Sequence, residues 1–175
     1  KSYLVMGGSM GFGKIQIFVL ELACRMEADE DMVVICGNNK KLETLLKREL
    51  VHRKNVRVLG YTDQVAAYMA ACDVIFTKPG GLSSTEAAVM GIPMVHTNPI
   101  PGCETKNVEF FQKHGMSIGK RSFVGQVRAG ENLLDREKLR VEMQEAQKKN
   151  SRPEAAERIC KLLEELVGKA NEMID

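Results

Sequence analysis

The sequence predicts an α/β fold: a doubly wound, mostly parallel sheet of six strands. Three observations predict it. Short runs of β-favouring residues alternate with helical stretches from one end of the chain to residue 119. The strand runs are almost continuously apolar, as strands covered on both faces are. Each pair of strands is separated by enough chain for a helical crossover, which in parallel sheets is right-handed.

The elements follow in order. SYLVMG (2–7) reads as the first strand, and Ile15, Val19, Leu22 and Met26 mark about fifteen residues of helix behind it. MVVICG (32–37) is the second strand, followed by a helix through Leu42, Leu45, Leu46 and Leu50. VRVLG (56–60) is the third, with a helix over 63–71. DVIFT (73–77) is the fourth, and Ser83, Ser84 and Thr85 open the helix that Gly91-Ile92-Pro93 ends. PMVHT (93–97) is the fifth. Phe110 and Phe111 lie in a helix closing at Gly115, and MSIG (116–119) is the sixth strand. Beyond Arg121 the pattern changes to a charged helix over 135–150, with Leu139 and Met143 inward. After Arg152-Pro153 a last helix (within 152–175) carries Ile159, Leu162, Leu163, Leu166 and Val167, expected to pack against the sheet.

Composition sets bounds. A chain of 175 residues buries a real core and is read as one domain over 1–175. Apolar content of 44% and charged content of 27% exclude wholesale disorder, and a net charge of +2 gives no reason to expect nucleic acid as a partner. No apolar run approaches the twenty or so residues of a transmembrane helix, and no signal peptide is visible. The start at Lys1, without an initiator methionine, suggests a piece of a longer protein. The cysteines (Cys24, Cys36, Cys72, Cys103, Cys160) show no C-x-x-C spacing, so neither zinc nor a disulfide framework is expected. Four of them sit beside apolar residues and read as core side chains of a reduced compartment; Cys103 stands in a polar loop.

Chemistry concentrates in KPGGLSSTEAAVMGIPMVHTNPIPGCETKN (78–107). Two glycines at the carboxyl end of a strand leave the backbone bare for close approach. The free N–H groups and positive dipole end of the following helix suit an anion, phosphate above all. Glu86 is expected in the same first turn, within reach of a sugar hydroxyl attached to that phosphate. One strand later, Glu104 and Asn107 arrive at the same edge of the sheet, where open α/β sheets bind ligands.

Other candidates fall away. Gly8–Lys14 matches G-x-x-x-x-G-K, but Ile15 stands where a phosphate loop needs the Ser or Thr that holds magnesium, so an ATPase is not supported. His52 lies among Arg53, Lys54 and Arg57 on a solvated face. His96 ends a strand and reads first as a core or rim residue, and second as a ligand contact. His114 precedes Gly115 and should meet a helix C-terminus. No Ser/His/Asp set or metal cluster is visible.

Together, KPGG-LSSTEAA, GIP and PGCETKN, with the opening GGSMG, the CGNNKKL segment and GYTDQVAAYMAACDV, resemble the family 28 glycosyltransferases, closest to the diacylglycerol glucosyltransferases and monogalactosyldiacylglycerol synthases. The likeness runs from Tyr3 to about Gly119. It implies the Rossmann-like, donor-binding C-terminal half of a two-domain GT-B enzyme, in which the terminal helix reaches back toward the partner domain, so that part of its apolar stripe would lack its cover in this chain. By that resemblance, Ser9 and its glycine loop approach the donor's phosphates or sugar. Gly60, Tyr61 and Thr62 pair with the uracil edge. Gly80, Gly81, Leu82 and Ser83 hold the diphosphate, Glu86 meets the ribose, and Cys103, Glu104 and Asn107 meet the hexose. The family's glutamine at position 103 is cysteine here, which leaves the identity of the hexose open.

The resemblance further implies an inverting transfer from a UDP-sugar to a lipid such as diacylglycerol. No cofactor or metal is implied beyond the UDP-hexose co-substrate. No catalytic residue is expected in 1–175; the base and the acceptor site belong to an N-terminal domain, so the isolated chain should be inactive. The full-length protein would be cytoplasmic, peripheral at the inner face of the membrane. A non-catalytic nucleotide-sugar-binding subunit pairing with a separate acceptor-binding subunit stands as the alternative.

Overall fold

In the computed structural model, which describes residues 1–7 and 15–172, strands and helices alternate as the patterning predicts. The first half contains β1 (Ser2–Met6), α1 (Ile15–Arg25), β2 (Asp31–Ile35), α2 (Lys40–Glu49), β3 (Val56–Leu59) and α3 (Val65–Ala71). The second contains β4 (Val74–Thr77), α4 (Gly81–Val89), β5 (Met94–His96), α5 (Thr105–Lys113) and β6 (Ile118–Gly119), followed by α6 (Phe123–Asp135), α7 (Glu137–Asn150) and α8 (Ala155–Glu172).

The strands form one six-stranded sheet in the order β3-β2-β1-β4-β5-β6, and every pairing in it is parallel. Successive side chains on a strand point to opposite faces, and here both faces are buried. Tyr3, Val5, Val74, Phe76 and Val95 pack with Phe18, Val19 and Leu22 of α1, Leu46 of α2 and Leu133 of α6. Leu4, Met6, Ile75 and Met94 pack with Met69 of α3, Ala87 and Ala88 of α4 and Phe111 of α5. Both faces of the doubly wound sheet are thus closed by helices.

Four expectations need correction. The first helix is shorter than its apolar spacing suggests, ending at Arg25. A whole helix, α6, lies where the sequence reading placed no element, and the next helix begins at Glu137 because Asp135 still belongs to α6. Its signal was present. Ser122 caps it by accepting the Gly125 N–H at 3.1 Å, and Val127, Ala129, Leu133 and Leu134 are buried at helical spacing. Gly125 and Gly130, poor helix formers in the interior, hid it. Gly130 has a packing reason, because a Cβ there would enter the space of the Phe76 ring.

The third correction is α8. Ile159, Leu162, Leu163, Leu166 and Val167 are 54–60% exposed, so the stripe does not pack on the sheet. The fourth concerns the cysteines. Cys36 is buried and Cys72 half-buried, and burial pushes their thiols up to about 11 and about 12. Cys24 and Cys160 are exposed and are not core residues.

Candidate functional site

From β1 the sheet grows one way through β2 and β3, and from β4 the other way through β5 and β6. The carboxyl ends of β1 and β4 therefore flank the point where strand order reverses, which is where open α/β sheets leave a ligand crevice. β4 delivers Lys78-Pro79-Gly80-Gly81 to it. Ser9 lies outside the described residues.

The turn after β4 runs directly into α4. The helix opens at Gly81, two residues before the serines, with Gly80 as its cap at φ −72° and ψ 154°. Glycine offers no side chain to close the first turn, and no side-chain cap is made. An α-helix leaves its first N–H groups without intrahelical acceptors. Those of Gly81, Leu82 and Ser83 consequently face outward at the positive end of the helix. A Cβ on Gly80 or Gly81 would meet nothing within 4 Å among the described residues. Neither glycine is demanded by crowding from those residues; what the pair provides is open backbone at the crevice.

The turn itself is held from behind. The Gly80 N–H donates to the Lys78 carbonyl at 2.7 Å, and the Ser84 hydroxyl reaches the same carbonyl at 3.5 Å. Asn107, on the first turns of α5, donates its Nδ2 to the Pro79 carbonyl at 2.8 Å. Lys78 Nζ lies 3.1 Å from Glu104 Oε1, and Glu104 Oε2 accepts the Ile100 N–H at 2.7 Å. Glu104 and Asn107, expected to meet a sugar, thus arrive beside the glycine turn and are also tied to it. Cys103, their neighbour, is exposed.

Glu86 sits one turn further along α4 than the sequence suggests, exposed and clear of the opening N–H groups. It lines a cavity of 580 Å³ between α3, α4 and the start of α8, with Asp63, Thr85 and Arg152. The segment Gly60, Tyr61 and Thr62 does not line that cavity, although Asp63 does. Gly60 packs so tightly on Glu43 that a Cβ would lie 2.6 Å from its Oε2. Thr62 Oγ1 accepts the Gln64 N–H at 3.1 Å, and the Tyr61 ring is 72% exposed.

On the other side of the turn is a second cavity of 550 Å³, lined by Lys78, Thr97, Ile100, Arg121, Phe123 and Gln126 among others. Lys78 and Arg121 are site candidates that the sequence reading left out. Lys78 could have been found, since it opens the glycine motif; Arg121 reaches the crevice only because β6 pairs with β5.

His96 is buried, at 1% exposure, with Nε2 3.0 Å from Ser84 Oγ and Nδ1 3.0 Å from Ser117 Oγ. It occupies the core rather than the rim, and burial pushes its pKa down to about 4. His114 behaves as expected, its Nδ1 2.8 Å from the Phe110 carbonyl at the end of α5. No group of three or more His, Cys, Asp and Glu suited to a metal ion occurs among the described residues. No helix among them is long and apolar enough to cross a membrane.

The model of the glycosyltransferase family 28 C-terminal domain matches residues 2–161. The chain belongs to this family. Family 28 relatives include the processive diacylglycerol beta-glucosyltransferase of Bacillus pumilus strain SAFR-032, 34% identical over 141 residues, covering 79% of this chain and 37% of that protein. The enzyme of the same name from Staphylococcus carnosus is 34% identical over 113 residues, covering 65% of this chain and 29% of its own length. The chain therefore spans only 29–37% of the length of these curated relatives. Among solved structures it resembles Acinetobacter baumannii MurG, with a TM-score of 0.78 and 20% identity, over 94% of this chain and 49% of that one. It also resembles the UDP-GlcNAc 2-epimerase of Neisseria meningitidis bound to UDP-GlcNAc, with a TM-score of 0.72 and 16% identity over 94% and 44%. These two show the Rossmann-like, GT-B-type fold.

The family 28 match takes in every strand of the sheet and both walls of the crevice, and it ends within α8.

Proposed function

We propose that this family 28 domain binds a UDP-hexose and presents it for inverting transfer to a lipid acceptor such as diacylglycerol. The observation that carries the reading is the uncapped N-terminus of α4, placed at the switch point of the sheet behind a bare glycine turn. The diphosphate lies against the N–H groups of Gly81, Leu82 and Ser83, where the helix dipole favours negative charge. Lys78 adds a cation beside the same turn. As the sugar leaves, charge grows on the diphosphate, and groups already fixed in place stabilise it without reorganising. In this reading the helix end and Lys78 carry that charge, with no cofactor or metal assigned a part.

Glu86, on the wall of the 580 Å³ cavity, accepts hydrogen bonds from the ribose hydroxyls. The uracil edge meets the backbone of Gly60, Tyr61 and Thr62. Glu104 and Asn107 meet the hexose with the groups that their ties to the turn leave available. Cys103, exposed next to them, replaces a glutamine of the resembled pattern and alters one contact to the sugar.

Transfer also needs a base for the acceptor hydroxyl. That base, the acceptor site and the contact with the inner face of the membrane belong to an N-terminal domain, by analogy with relatives more than twice this length. The chain alone then binds donor and transfers nothing. Thermal shift with UDP, UDP-sugars, GDP and ATP tests the reading. A ligand at about 100 times its Kd stabilises by roughly 2.7 kcal/mol, so UDP and its sugars should raise the melting temperature. A shift with ATP and none with UDP would overturn it.

A further inference from the structure

The buried histidine of β5 touches every element that shapes the turn. His96 Nε2 reaches Ser84 Oγ in the first turn of α4, and Nδ1 reaches Ser117 Oγ just before β6, each at 3.0 Å. Its ring meets Phe111 of α5 edge-on, with centroids 5.3 Å apart. Ser84 is fully buried and Ser117 is 6% exposed, so neither hydroxyl can turn to water. None of these three residues points into the crevice, and donor binding as described above makes no use of them.

A neutral imidazole has one N–H and one bare nitrogen, so one of the two serine hydroxyls accepts from the ring and the other donates to it. The Ser84 oxygen also lies 3.5 Å from the Lys78 carbonyl, so Ser117, His96, Ser84 and the end of β4 form one continuous line of polar contacts.

We infer that His96 is a positioning residue for the phosphate turn: through Ser84 it sets the height of the α4 N-terminus against the sheet, and so the placement of the Gly81–Ser83 amides. The inference rests on the nucleotide-diphosphate reading of that turn. Phe111 gives the same residue a hold on α5, which carries Asn107 and its bond to the Pro79 carbonyl. Both carbonyls of the Lys78-Pro79 pair are thereby referred to one ring.

Asparagine and glutamine separate this role from ordinary core packing. A glutamine amide reaches the position of the histidine Nε2 and can donate to Ser84 or accept from it. An asparagine amide reaches only the Nδ1 position, toward Ser117. His96→Gln should keep UDP affinity within about threefold of the parent chain, while His96→Asn should lose about tenfold, the worth of one hydrogen bond. Uridine, which lacks the diphosphate, should bind all three alike. Ser84→Ala, which removes one hydroxyl, should repeat the contrast between UDP and uridine and serves if a histidine variant fails to fold. Calorimetric titration of the chain with UDP and with uridine gives each value. Equal behaviour of the Gln and Asn variants, or a parallel loss of UDP and uridine, would overturn the inference while leaving nucleotide binding intact. Failure of the parent chain to bind UDP would instead remove the nucleotide reading, and this inference with it.

Discussion

Lys78 and Glu104 form an ion pair of 3.1 Å across the crevice, with side chains only 16% and 13% exposed. One sits at the end of β4 and the other at the start of α5. The pair therefore joins the glycine turn to the loop over 97–104 that walls the second cavity. Glu104 carries a further load, since its other oxygen accepts the Ile100 N–H.

Glu104→Ala should accordingly lower stability by about 1–3 kcal/mol, the range for stranding partners of a partly buried acceptor. If the full-length protein is the proposed transferase, the variant should lower its turnover more than its UDP affinity, because the proposal sets Glu104 against the hexose and not the nucleotide. Thermal melts of the chain and donor kinetics of the full-length protein measure the two effects. A variant as stable as the parent would show that the pair contributes nothing to the turn.

Glu86→Ala tests the opposite kind of residue. Glu86 is exposed and its side chain makes no hydrogen bond among the described residues, so truncating it should leave the melting temperature unchanged. UDP affinity should fall about tenfold or more, as for a hydrogen bond to a charged acceptor. Titration with UDP would exclude Glu86 from the site if affinity held in the folded variant.

What the sequence showed and what it hid divide on physical grounds. The strands were legible because burial on both faces makes them apolar almost without interruption, and all six lie, to within one or two residues at their ends, where SYLVMG, MVVICG, VRVLG, DVIFT, PMVHT and MSIG place them. The glycine turn was legible for the same local reason, since Gly-Gly followed by serines announces a helix start. Helix α6 was not, because its interior glycine answers to Phe76, a residue 54 positions earlier whose proximity only the fold reveals. The ties of Glu104 to Lys78 and of His96 to Ser84 and Ser117 are likewise long-range, and no spacing rule encodes them. The last helix misled for a third reason. An amphipathic stripe states that a face wants cover, without stating which surface supplies it.

That stripe yields a simple expectation. Leu162 and Leu166 are 55% and 54% exposed, so Leu162→Ser with Leu166→Ser should change the stability of the chain by less than about 0.5 kcal/mol each. Leu133→Ala in α6, fully buried against the sheet, should cost about 2–5 kcal/mol in the same denaturation experiment. Comparable losses at both places would mean that α8 is held by the domain after all.

Gly130→Ala probes the helix that the sequence concealed. The added methyl would enter the space of the Phe76 ring, which is itself packed against Phe18 at a centroid distance of 5.0 Å. Alanine favours the helix by about 1 kcal/mol over glycine, but overpacking a closed core costs about 1–3 kcal/mol. The net effect should be a lower denaturation midpoint. A more stable variant would show that the α6–β4 contact has room to spare.

Acid should weaken the fold through His96. Burial lowers its pKa in the folded chain from 6.5 to about 4, so between those values the unfolded chain binds a proton that the folded chain does not. Stability therefore rises with pH across that window, and the histidine's contribution is complete above 6.5. Going down from 6.5 to about 4 it should remove about 3 kcal/mol, on the basis of 1.36 kcal/mol per unit of pKa. Carboxylates elsewhere titrate in the same range, so the parent curve alone does not isolate the histidine. His96→Gln cannot take up the proton and keeps a hydrogen-bonding partner for Ser84. Its denaturation free energy, followed from pH 7 to pH 4, should fall less steeply than the parent's by about that amount. Parallel curves for the two proteins would mean that His96 can take up a proton while folded, which would contradict the closed, buried arrangement of Ser84, His96 and Ser117.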